Sequence, residues 1–300
     1  MKKIVSKIFP IVDSNKRKEV SEQKVLNSTQ KNIGVINIHR YNKNNVGDFF
    51  CGPHHYFSEL KNTHLDISHC RELSLKKRLN WSNNINNNAL IIGGGGLLNI
   101  RHFERQMSLF SQLKAKGKKT VLWGLGHNNP NKKKKITQYN INTANFGLVG
   151  TRDYSMPNEY VPCVSCLHPI FDKKFENTHE VGIVITKKSL KNKAILEKFK
   201  NYPSVSNTSS LTEMINLIGN SNTIVTDSYH AMYWAFLLEK KVVVIPTSSK
   251  FYDFKYEPVI SSYENFEKDI KKAKSYSGIL EESREINLNF AEKVFNYLTI

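Results

Sequence analysis

The chain has 300 residues, 39% hydrophobic and 23% charged, enough apolar material for one or two ordinary cores. That composition excludes a fibrous chain, a disordered chain and a small disulfide scaffold, and no apolar run approaches the ~18 residues of a membrane-spanning helix. The formal charge of +18, from 44 basic and 26 acidic residues, favours anionic partners; only eight of the basic residues are Arg, so each Arg says more than each Lys.

Met1 to Pro10 mixes Lys with Ile, Val and Phe in patches too short for a signal core. It reads as a frayed terminus or a peripheral membrane toehold. With four Cys and no secretory leader, the expected compartment is the reducing cytoplasm. Residues 13–32 are polar, without an apolar period, and read as a linker or a solvated helix.

From residue 33 a repeated pattern begins. Short β-branched runs end in Gly, Asp, Ser or Asn, and helix-length stretches follow. The runs are Ile33–Ile38, Ala89–Ile92, Thr120–Trp123, Phe146–Val149, Val181–Ile185, Thr223–Thr226 and Lys241–Ile245. Continuous apolar runs of this kind predict parallel strands covered on both faces, and their alternation with helical stretches predicts βαβ units. Two Asn-rich stretches, 83–88 and 128–135, read as exposed loops. A polar break at 172–180 divides the chain into an extension (1–32), a first domain (33–175) and a second domain (176–300). A last helix near 282–297 carries Ile286, Phe290, Val294 and Leu298 on one face.

Several strand ends carry chemistry. Asn45-Val46-Gly47-Asp48 follows the first strand and offers a free amide and an acceptor at a helix start. Gly93-Gly94-Gly95-Gly96 follows the second and lets a ligand approach the backbone closely. It is neither a dinucleotide fingerprint nor a P-loop, because the spacing and the following Lys-Ser/Thr are missing. Arg152-Asp153 follows the fourth run, where Arg152 either forks onto an anion or pairs with Asp153 or a helix carboxylate. Asp227-Ser228-Tyr229-His230 follows the sixth; Asp227 or Ser228 caps a helix, and His230 lies in its first turn. Lys250 lies just beyond the seventh. Cys163, Cys166 and His168 resemble a metal pair, but Cys51 and Cys70 supply no second one, so no metal site is expected and the thiols read as packing.

Taken in order, these segments resemble the polysaccharide pyruvyl transferase family. The likeness rests on Asn45–Asp48, Gly93–Leu98, Arg152-Asp153 and Asp227–Ala231 with Lys250 at +20. It also rests on Phe50–Pro53 and on Tyr160 through Asp172, and it spans residues 33–255. One departure is Ser228-Tyr229, where many members carry Arg-Leu. The resemblance implies an α/β fold of two Rossmann-like domains facing a cleft, like the GT-B glycosyltransferases, with a C-terminal helix that can pack back on the first domain. It implies transfer of pyruvate from phosphoenolpyruvate to a surface polysaccharide or its lipid-linked precursor, forming a ketal. Arg152, His230 and Lys250 match the family's donor-binding and catalytic trio. Asn45, Gly47, Asp48, Gly93, Gly94, Gly95, Gly96, Asp227, Ser228 and Tyr229 are the expected binding residues.

The residues agree with that chemistry. Arg152 and Lys250 can neutralise a phosphate and a carboxylate, and a single His can move the protons of ketal formation. No cofactor is expected beyond the donor. Two other readings stay open: a glycosyltransferase using a nucleotide sugar on the same scaffold, and a nucleic-acid binder suggested by charge. The last lacks any RNA-recognition or finger signature, so nucleic acid is not an expected partner.

Overall fold

The computed structural model describes residues 2–300, with side chains from residue 13 onward. Apolar β-branched runs buried on both faces pair in parallel, as expected of strands linked by helices. The first sheet contains β1 (Gly34–His39), β2 (His64–Asp66), β3 (Asn88–Gly93), β4 (Thr120–Leu125), β5 (Leu148–Thr151) and β6 (Glu159–Tyr160), in spatial order 2-1-3-4-5-6. The second contains β7 (His179–Ile185), β8 (Ser204–Ser206), β9 (Ser221–Thr226), β10 (Lys241–Val244) and β11 (Val259–Ile260), in order 8-7-9-10-11. Every pairing is parallel.

The two sheets share one winding. Each starts on an inner strand, adds an edge strand to one side, and returns to build the other side. The direction switches between β1 and β3 in the first sheet and between β7 and β9 in the second. Ligands bind in the crevice beyond the carboxyl ends at such switch points. The two parallel sheets agree with the expected α/β class of two Rossmann-like domains.

Helices α1 (Lys2–Leu26), α2 (Val46–Phe50), α3 (Leu75–Asn87) and α4 (Glu104–Lys114) accompany the first sheet. Helices α5 (Lys193–Phe199), α6 (Leu211–Gly219), α7 (Tyr229–Leu237) and α8 (Phe266–Asp269) accompany the second, and α9 (Ile279–Leu298) ends the chain. All nine residues of α7 are buried, because it lies in the seam beside residues 163–171. There Tyr233 Oη donates to the Cys163 carbonyl (2.8 Å) and Trp234 Nε1 to Ser165 Oγ (2.9 Å). Helix α9 returns to the first sheet: Phe290, Val294 and Leu298 pack on Ala89, Ile91, Val121 and Trp123. Trp123 Nε1 donates to Asn287 Oδ1 at 2.9 Å. The start of α9 packs in the second domain's core through Ile279 and Leu280, and its later turns return to the first sheet, as expected of a C-terminal helix that packs back on the first domain.

Two expectations are corrected. Of the two readings of residues 13–32, the linker is corrected and the helix holds for 13–26, which belong to α1; one side of that helix is not solvated but docks on the first domain largely through polar contacts. Lys18 Nζ donates to the His102 carbonyl (3.0 Å), Ser21 Oγ to the Cys70 carbonyl (2.8 Å), and Glu22 pairs with Arg105 (2.7 Å). Hydrogen bonds leave no apolar period in a sequence, so the docking was not readable there. Residues 83–88 are no exposed loop either. They are the end of α3 and the start of β3, and buried Lys118 donates to the carbonyls of Asn86 (2.8 Å) and Asn88 (3.0 Å). A Lys at a helix C-terminus satisfies carbonyls that have no partner within the helix.

No helix among the described residues is long and apolar enough to cross a membrane. The membrane contact expected of residues 1–10 falls on side chains outside the described residues.

Candidate active site

The loops after β1 and β3 form the first wall. Asn45 occupies the N-cap position of α2 but does not cap it: its Nδ2 donates to Asp48 Oδ2 (2.7 Å) and its Oδ1 accepts from Asn207 Nδ2 (3.2 Å). Val46 N donates to the Asn207 carbonyl (3.0 Å), so a loop of the second domain clasps the start of α2. Gly47 then lies directly against His230, and a Cβ at this position would collide with the imidazole. Burial holds the Asp48 carboxyl above its usual range, against the opposing pull of Lys250 and Arg152.

The glycine run turns sharply at Gly94 (φ 64°) and Gly95 (φ 83°), a region that side chains rarely adopt. Gly93 lies under Pro53 and Gly94 under Cys51. The Gly95 carbonyl accepts from Gly126 N (3.0 Å), and Gly96 faces Asn128 and Arg152 Nη2. The run thus touches the expected site through Gly96, while Gly93 and Gly94 let residues 51–53 approach the sheet.

Arg152 follows β5 and is only 2% exposed. Its guanidinium lies 3.8 Å over the Tyr229 ring, and its Nε and Nη1 have no hydrogen-bond partner. Among the described residues it makes no ion pair. Asp153, the partner weighed for it, instead accepts from His127 N (2.7 Å) and Tyr139 Oη (2.9 Å). Burial raises the Asp153 carboxyl to about 7. A guanidinium stays protonated, so Arg152 is a buried cation with free donors.

From the second domain come His230 and Lys250. His230 is 8% exposed, and its Nε2 lies 3.7 Å from Cys163 Sγ. Burial, Arg152 and Lys250 together push its pKa well below the usual value, so the imidazole is neutral. Lys250 belongs to a short turn after β10 and is half-buried; burial and Arg152 lower it to about 8. Burial pushes the Cys51 and Cys163 thiols up, so both are neutral and poor nucleophiles.

The expected helix cap is corrected. Ser228 stands at the N-cap position of α7 without a capping bond, and its own N–H donates to Thr226 Oγ1 (2.9 Å). Asp227 turns away from the helix and accepts from Thr186 N (2.6 Å), Thr186 Oγ1 (3.0 Å), Tyr263 Oη (3.1 Å) and Ser189 Oγ. It fastens the end of β9 to the loop after β7. Gly47, Asp48, Gly96, Arg152, Tyr229, His230 and Lys250 thus come together, whereas Asn45 and Asp227 are occupied by protein partners.

Sequence reasoning overlooked His127 at the end of β4. Its Nδ1 meets Ser249 Oγ at 2.7 Å, and its Nε2 is buried without a hydrogen-bond partner. Asn129 also receives Ser249 N (3.1 Å), so the start of the Asn-rich loop 128–135 clamps the Lys250 turn instead of lying in solvent. The strand-end rule that singled out Arg152 would have found His127. Sequence reasoning also overlooked His39, His54 and His55, which converge behind α2.

No curated protein sequence gives a significant match to this chain. A family model described as polysaccharide pyruvyl transferase matches residues 3–249, which covers the first sheet, the second sheet as far as β10, and every strand-end segment above except Lys250 itself. The chain therefore belongs to the polysaccharide pyruvyl transferase family and is a transferase of that kind.

Proposed function

We propose that this protein transfers pyruvate from phosphoenolpyruvate to a sugar of a surface polysaccharide, or of its lipid-linked precursor, as a ketal. The observation that carries the reading is Arg152, a buried guanidinium with two unpartnered nitrogens. Such a group suits a bidentate anion. Lys250 adds a second cation, and together they match a small donor bearing a phosphate and a carboxylate. The two facing Rossmann-like domains suit the GT-B arrangement. A lipid-linked acceptor suits a cytoplasmic enzyme at the inner face of the membrane.

The chemistry follows from His230. Neutral in the free protein, it accepts a proton from an attacking sugar hydroxyl and becomes the imidazolium that protonates the donor's methylene carbon. The hydroxyl oxygen bonds to C2 and the methylene becomes a methyl group. The C2–O bond to phosphate then breaks, with phosphate keeping the electron pair, and the second hydroxyl closes the ketal. One hydroxyl proton ends on the methyl group and the other leaves with phosphate. Arg152 and Lys250 stabilise the charge that grows on the departing group. No cofactor takes part in the reaction as written. In this reading the acceptor site is the cavity of about 480 Å³ beside α2, where Phe49 and Phe50 of one domain face Leu211 of the other.

A donor screen tests this. Phosphoenolpyruvate should raise the melting temperature and release phosphate when a lipid-linked glycan is supplied. A shift with nucleotide sugars and none with phosphoenolpyruvate would establish the glycosyltransferase reading instead.

A further inference from the structure

We propose that His39, His54 and His55 form a binding site for one divalent transition-metal ion, with zinc the best fit, which staples the α2 loop to the first sheet. The three residues each offer a ring nitrogen, and these atoms lie within 4.8 Å of one another. His39 is completely buried and His54 is 7% exposed, yet both nitrogens of each ring have no hydrogen-bond partner. Buried imidazoles are ordinarily satisfied, so four orphaned nitrogens in one cluster point to a missing ligand.

The third ring is already set. His55 Nε2 donates to the Phe49 carbonyl at 2.8 Å, the tautomer that leaves Nδ1 with its lone pair. Metal-bound histidines characteristically donate their other N–H to such a carbonyl. All-imidazole ligation suits zinc, copper or nickel and not calcium or magnesium.

Tetrahedral zinc at ~2.0–2.1 Å from each nitrogen would bring them to about 3.4 Å apart, a contraction that side-chain rotation supplies. A cavity of about 480 Å³ beside His54, His55 and His64 offers an entry path and room for a water as fourth ligand. The His64 ring stacks on His54 with centroids 4.7 Å apart, and it closes one side of the cluster.

The position gives the ion its task. His39 ends β1 and His54-His55 follow α2, so a bound ion joins the two ends of the loop that carries Asn45–Asp48. Closing a loop in this way restricts its excursions. Gly47, which lies against His230, belongs to that loop. The ion is structural and touches none of the groups that handle the proposed donor.

The test needs no substrate, so its failure would leave the pyruvyl reading untouched. Untagged protein, stripped with a chelator and dialysed, is titrated with Zn²⁺ and with Co²⁺. One equivalent should bind, Zn²⁺ should raise the melting temperature, and Co²⁺ should give the intense visible bands of a tetrahedral site. The double variant His54→Ala/His55→Ala should lose more affinity than the ~10–100-fold that a missing outer-shell partner costs. The His179→Ala control, at an exposed position, should bind like the parent. If the double variant does not fold, zinc protection of His54 and His55 from diethyl pyrocarbonate in the parent chain serves instead. Absence of stoichiometric binding, unchanged affinity in the folded double variant, or modification unaffected by zinc would overturn the proposal.

Discussion

Gly47 of the first domain lies so close to the His230 imidazole of the second that no Cβ fits between them. A hydrogen bond from Val46 N to the Asn207 carbonyl and another from Asn207 Nδ2 to Asn45 Oδ1 hold the same contact from the other side. Gly47→Ala should therefore displace the ring while leaving both sheets intact. A displacement of about 1 Å can cost ~100-fold in rate, and a loss of that order in kcat with little change in melting temperature is expected. Full activity in Gly47→Ala would show that His230 has no fixed position to lose.

Arg152 should hold the donor. Arg152→Ala is expected to raise the donor's KM by about ten- to a hundredfold, the equivalent of the ~1.5–3 kcal/mol of a hydrogen bond to a charged group. Arg152→Lys should not rescue it, because an ammonium cannot reproduce the fork over Tyr229. Steady-state kinetics with varied phosphoenolpyruvate check this, and an unchanged KM in both variants would remove Arg152 from the donor site.

Lys250 sets a pH limit. Its pKa is lowered to about 8, and only the protonated form neutralises an anion. kcat/KM for the donor, which reports the free enzyme, should be level below that value and fall as pH rises through it. Lys250→Arg should move the falling limb to higher pH. A profile with the same limb in the parent and in Lys250→Arg would assign it to another group.

His230→Ala should lose about two to four orders of magnitude in turnover, the usual range for a positioned acid or base. His230→Gln should be nearly as slow, because an amide donates a hydrogen bond but transfers no proton. Donor binding, read by calorimetry, should fall far less in both. Retained turnover with weakened donor binding in His230→Gln would make His230 a phosphate ligand.

Cys163 and Cys166 should be dispensable for the chemical step. Ser165 Oγ donates to Cys163 Sγ (3.3 Å), and Cys166 Sγ donates to the Ser283 carbonyl (3.4 Å), roles a hydroxyl can share. A folded Cys163→Ser/Cys166→Ser variant should stay within about a hundredfold of the parent, ~2.7 kcal/mol in barrier terms. A larger loss would give the thiol beside His230 a part in the reaction.

The sequence by itself determined the central strands. Runs such as Leu90–Ile92 and Val242–Val244 are apolar because both faces are covered, a local pattern that needs no knowledge of partners. Each of the seven runs lies within two residues of an observed strand, and the residues that follow them supply most of the candidate site. The edge strands β2, β6, β8 and β11, two or three residues each, were not legible, because pairing with one neighbour demands little of a sequence. Tertiary structure alone decided the rest. It turned Asp227 from a helix cap into a clasp on Thr186, and it left Arg152 without the Asp153 partner that stands next to it in sequence. It docked α1 through Lys18, Ser21 and Glu22, and it brought His39 to His54 and His55 across an intervening helix. These features arise between residues far apart in the chain, where hydrogen bonding and desolvation impose no period on the sequence.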